Sequence, residues 1–121
     1  STDKQQKEVG RNFTTVSDQY LFGAVGVPTN ESPIICEGPM TIVQMASTTS
    51  SSASYTVEIR KQTAPGVYTM VASMLVPTST AYRSGSLNID LDVEDTFAIY
   101  LSGSNVEKPR VDIYYRERVD G

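Results

Sequence analysis

Four carboxylates fall within six residues of this chain: Asp90, Asp92, Glu94 and Asp95. Oxygen donors at alternate positions, as in Asp90, Asp92 and Glu94, are the type that a calcium ion collects. A pair of acids is also what glycoside hydrolysis needs, one as acid and one as nucleophile or base, held across a cleft. Neither chemistry is well served. The stretch DLDVED has no glycine for a sharp coordinating loop, and the chain has no tryptophan to stack a sugar ring. The simpler reading puts Asp90 and Asp92 on the wet face of a strand and Glu94 and Asp95 in the turn before TFAIYLSG. Aspartate suits such turns because its side chain hydrogen-bonds its own backbone. Calcium on Asp90, Asp92 and Glu94 stays as a weaker candidate.

Other reactive groups are scarce. The chain has no histidine, which removes imidazole bases, Ser-His-Asp triads and the usual transition-metal ligands together. A single cysteine cannot build a structural zinc site or an internal disulfide. Cys36 sits between Ile35 and Glu37, a poor setting for a thiolate, and reads as a small buried hydrophobe. The glycines are dispersed at turns and form no phosphate-cradling loop. Asn12-Phe13-Thr14 and Asn30-Glu31-Ser32 match the glycosylation triplet by chance. The expectation is a protein that is not an enzyme and takes no cofactor.

Charge and hydropathy narrow the partners. Ten basic residues are scattered among fourteen acidic ones, for a net charge of −4, so no patch is expected to displace phosphate counterions and no nucleic-acid binding is predicted. No apolar run approaches the roughly 20 residues of a membrane helix, so no membrane partner is predicted. No charged leader precedes an apolar segment, and a lone cysteine fits a reducing compartment. Ser1 is small enough for a preceding methionine to be trimmed, so the chain reads as a whole mature protein.

The elements that would position these groups are short strands. SYTVEIRKQ sets Tyr55, Val57 and Ile59 on one face and Thr56, Glu58 and Arg60 on the other. VYTMVASMLV, SLNIDLD, TFAIYLSG and PRVDIYYRERV follow, the last with Val111, Ile113 and Tyr115 alternating with Arg110, Asp112 and Tyr114. TAPG is a turn, and STTSSSAS, with nothing to bury, is expected as a surface loop. Turn signals recur about every ten residues without a helical period, the pattern of an antiparallel sandwich or barrel. The fold class is therefore all-β, an antiparallel β-sandwich of jelly-roll type with seven to eight strands. Residues 1–18 are polar without a sustained period and read as an extended N-terminal arm; residues 19–121 form the sandwich domain.

With reactive chemistry lacking, surface recognition remains. Tyrosine is the commonest aromatic, and Tyr and Arg together are the composition of an interface, since both bury area and still hydrogen-bond. The candidate interface residues are Phe13, Tyr20, Tyr82, Tyr114, Arg116 and Arg118.

The polar N-terminal segment, the Ser/Thr-rich loop, and the ending VEDTFAIYLSG then PRVDIYYRERV resemble small virion proteins of tailed bacteriophages. The resemblance spans about residues 39–118 and rests on pattern. It implies a capsid decoration or cement protein: a small jelly roll on the shell, a homo-oligomer (dimer or trimer), bound to the major capsid protein through its sandwich surface and arm. Such a protein sits on the virion capsid surface and is assembled in the host cytoplasm. The alternative within that group is the receptor- or glycan-binding knob of a tail fibre or tail needle. The chain shows neither the heptads nor the repeats that precede such knobs.

Overall fold

The computed structural model describes residues 4–23 and 26–118. The strands run β1 Lys4–Arg11, β2 Thr15–Val16, β3 Gln19–Tyr20, β4 Ile34–Ile35 and β5 Met40–Ala64, then β6 Val67–Arg83, β7 Ile89–Leu91, β8 Thr96–Ser102, β9 Val106–Glu107 and β10 Arg110–Glu117. Among the described residues there is no helix, and every pairing is antiparallel. Eight strands form one curled sheet in the order β1-β10-β5-β8-β3, with β4 on β8 and with β6 and β7 on β5. The all-β antiparallel fold read from the alternating runs is the fold observed.

The long hairpin of β5 and β6 organises the molecule. The first part of β5 pairs with β10, from Met40 to Thr48, and the second pairs with β8, from Thr56 to Lys61. The exchange of partners falls in the serine-rich stretch. There Thr49 to Ser52 stand opposite Thr80 alone, between the Thr48–Ala81 and Ala53–Ser79 pairs. Small polar side chains allow this because none has to find a core position on either face, and the extra residues let the strand turn a corner. Apart from buried Ser47, STTSSSAS lies at the surface as expected, yet it is a bent strand and not a loop. Buried Ser47 and Tyr55 close the corner through a 2.6 Å hydrogen bond between their hydroxyls. The two halves of the sheet then face each other over one core, with Ile42, Met45, Val111 and Ile113 from one half and Val57, Ile59, Phe97, Ile99 and Leu101 from the other. Tyr55, Val57 and Ile59 point inward, as their alternation requires.

The N-terminal segment departs from expectation. Lys4–Arg11 is not an arm outside the core but the edge strand β1, in register with β10 from Lys4–Arg116 to Arg11–Arg110. A bulge between Glu8 and Gly10 turns Val9 inward, where it is 2% exposed. Gly10 then lies so close to the core that a Cβ there would meet Leu21 Cβ at 3.1 Å and Ile99 Cβ at 3.3 Å. Val16, on β2, is likewise in the core. The polar character of KQQKE comes from its place at an edge, where lysines keep a sheet from pairing further. The proposed division at residue 18 therefore does not separate an arm from a sandwich.

Candidate functional site

The acidic cluster resolves into separate pairs. Asp90 accepts a 2.7 Å hydrogen bond from the Thr41 hydroxyl across β7 and β5. The Asp92 N–H donates to Asp95 Oδ2 at 2.7 Å, closing the turn, and Asp95 also meets Lys61 Nζ at 3.3 Å. Glu94 adopts a left-handed backbone, φ 74°, and its N–H donates to the Cys36 carbonyl at 2.9 Å. Among the described residues no three acidic, cysteine or histidine side chains converge on a point that would hold a metal. Asp90, Asp92 and Glu94 do not converge on one point: Asp90 is held by Thr41, Asp92 faces Arg118, and Glu94 sits in the turn with a left-handed backbone.

Cys36 packs under that turn, with its N–H donating to the Asp95 carbonyl at 2.8 Å. Burial first, and the Asp95 charge second, push its thiol up to about 11. At neutral pH it stays protonated, which disfavours its use as a nucleophile.

The six residues read as an interface fall in five places. Phe13 is exposed in the turn after β1, with the Arg11 guanidinium 5.2 Å from its ring. Arg118 faces inward on the chain itself: its Nη2 donates to the Leu91 carbonyl at 2.6 Å and approaches Asp92 Oδ1 at 3.3 Å. It clasps the end of β10 to β7 while its side chain stays partly exposed. Arg116 is exposed, in register with Lys4 and Thr41. Tyr82 and Tyr114 line a groove on the outer face of the β1-β10-β5 half.

Tyr20 belongs to a cluster on the outer face of the other half. Its ring meets Tyr100 edge-on at 5.1 Å and Tyr68 at 6.0 Å. The Arg60 guanidinium lies 3.8 Å from the centre of the Tyr100 ring, and its Nη1 donates to the Tyr20 hydroxyl at 2.9 Å. Glu58 holds the same guanidinium, accepting from Nε at 2.8 Å. Strand alternation sets this up, since Glu58 and Arg60 share the outward face of β5 and register places Glu58 beside Tyr100. Every polar arm of Arg60 is engaged, so the cluster pins β3 onto β5 and β8.

Next to this cluster runs the free side of β6. Among the described residues β6 pairs with β5 and with no other strand. From Val67 to Val76, VYTMVASMLV, it carries no charge, proline or glycine. Five of the nine large apolar side chains that stand out as exposed among the described residues lie on β6: Val67, Met70, Val71, Leu75 and Tyr82, with Met70 at 53% and Leu75 at 67%. Natural edges of this length usually carry lysine or proline against unwanted pairing. Here the protection along the apolar run is limited to a bulge at Val71, between the Ile59–Ala72 and Arg60–Met70 pairs, and a register shift near its start, between the Gln62–Tyr68 and Ala64–Val67 pairs. The sequence pattern placed VYTMVASMLV as a strand but not at an edge, because periodicity does not say which neighbours a strand has.

No family model matches the chain, and no curated protein matches it. Among solved structures it is similar to PirA, at 13% identity over 94% of this chain and 95% of that one, with a TM-score of 0.42.

Proposed function

We propose that this protein is a non-enzymatic assembly protein, a virion decoration protein that binds and stabilises the capsid shell through its sandwich surface. The observation that carries the reading is the uncharged outer edge of β6, with Met70 and Leu75 exposed beside it. Water is a poor neighbour for such a strip, and a protein surface that offers a strand edge and apolar contacts is a good one. The tyrosines and arginine alongside provide the amphipathic rim that interfaces favour. The partner in this reading is the major capsid protein, and the contact passes through the sheet edge and not through an N-terminal arm, since β1 is occupied within the fold.

The test is co-sedimentation of the purified protein with shells of its own major capsid protein. Burying Leu75 and Met70 would contribute about 1.5–3 kcal/mol each, so replacing either with lysine should weaken binding at least tenfold. Both side chains are exposed, and the substituted proteins should keep their melting temperature. Unchanged sedimentation of Leu75→Lys and Met70→Lys would remove the edge from the proposal.

A second reading, the receptor- or glycan-binding knob of a tail fibre or tail needle, is favoured by one observation. Tyr82 is exposed beside Arg83 at the mouth of the groove on the other half of the sheet. A glycan array without hits would count against it.

A further inference from the structure

The groove on the outer face of the β1-β10-β5 half has a volume of about 370 Å³, large enough for one sugar ring. Its floor is small. Ala46 stands between Asp112 on β10 and Arg83 on β6, because register aligns those three across the sheet. One bank is already neutral. Asp112 is only 7% exposed and accepts from Arg110 Nε at 2.9 Å, from Arg110 Nη2 at 3.2 Å and from Gln6 Nε2 at 2.6 Å. Glu8 approaches Arg110 at 4.0 Å and is itself paired with Arg11.

The other bank is not. From β6 the Arg83 guanidinium lies 5.0 Å from the centre of the Tyr114 ring; from β1, beyond the groove lining, Lys4 Nζ lies 5.5 Å from the same centre. Among the described residues neither cation comes within ion-pair distance of a carboxylate. The chain carries a net charge of −4, so two such cations on one buried ring are a local excess of positive charge. The aromatic contact holds Arg83 in place while leaving its donor fork open, and such a fork matches a carboxylate in two-point contact. Asp112, Gln6 and Thr48 also line the groove and carry polar groups of the kind that sugar hydroxyls bond, and Tyr82 provides an aromatic wall.

We propose that this groove binds a carboxylated sugar, with the carboxylate on Arg83 and the hydroxyls towards Asp112 and Gln6. The inference deepens the glycan-binding reading, and it is independent of the β6 edge and of any phage partner.

The experiment is titration of the isotope-labelled full chain with sodium glucuronate, glucose and sodium acetate, followed by amide shifts, with Arg83→Gln alongside. Arg83 is exposed, so the substituted protein should fold, and its unchanged spectrum away from the groove serves as the control. The expected result is saturable shifts at residues 46, 81–83 and 112 with glucuronate, weakened at least tenfold by Arg83→Gln and by raised salt. Glucose and acetate should each bind at least tenfold more weakly than glucuronate. Equal binding of acetate would overturn the sugar assignment. Equal binding of glucose, or unaltered affinity in Arg83→Gln, would overturn the role of Arg83 while leaving a glycan reading in place. No saturable shift with either sugar would overturn the site.

Discussion

Replacing Val9 by alanine tests whether the N-terminal segment belongs to the fold. Val9 is 2% exposed and sits in the core beside the bulge of β1. The substitution removes two methyl groups, worth about 0.8 kcal/mol each in transfer, and leaves a cavity that the strand can only partly close. Together these cost about 2 kcal/mol. For 121 residues the entropy of unfolding is about 0.25 kcal/mol per degree, so the melting temperature should fall by about 8 °C. The assay is thermal unfolding followed by circular dichroism or calorimetry. Val71→Ala is the comparison, since Val71 lies exposed on the edge strand and its loss should stay within about 0.5 kcal/mol. Removing residues 1–11 should do far more. It strips Val9 from the core and uncovers the backbone edge of β10 along its whole register. That loss approaches the entire net stability of a domain of this size, about 5–15 kcal/mol. A melting temperature of Val9→Ala within a degree or two of wild type, or a cooperative and equally stable protein without residues 1–11, would refute the reasoning and restore an arm.

Two further outcomes follow from the packing. Alanine at Gly103 would place its Cβ 2.8 Å from Tyr55 Cβ and 3.3 Å from Tyr55 Cα, at the corner of β5; urea unfolding should report a loss of about 1–3 kcal/mol, while Gly38→Ala, with nothing within 4 Å, should be silent. Burial raises Cys36 from 9.0 to about 11, and raises Tyr55 against the partly offsetting hydrogen bond from Ser47. Both groups keep their protons longer in the folded state, so their contribution is complete below the unfolded values and is lost as pH rises through the folded ones. For Cys36 that window is about pH 9 to about pH 11: stability should decline across it, and Cys36→Ala should flatten part of the slope in urea titrations at several pH values.

What the sequence by itself determined is the local alternation. Tyr55, Val57 and Ile59 against Thr56, Glu58 and Arg60, and Leu91 between Asp90 and Asp92, were legible because a strand must sort its faces by polarity. The all-β class followed from those runs and the turns between them. What only the tertiary structure decided is who neighbours whom. KQQKEV shows no alternation because a bulge admits a single side chain, Val9, to the core, so its strand character comes from the free edge of β10 and not from its own residues. STTSSSAS reads as a loop because nothing in it needs burial, and the same property lets β5 bend from one half of the sheet to the other. That Arg118 reaches back to the Leu91 carbonyl shows only once the end of β10 lies against β7. The exposed run of β6 and the groove over Ala46 depend on strand order and register between distant segments. Periodicity carries no trace of either, since it records which face a residue takes and not which strand lies beside it.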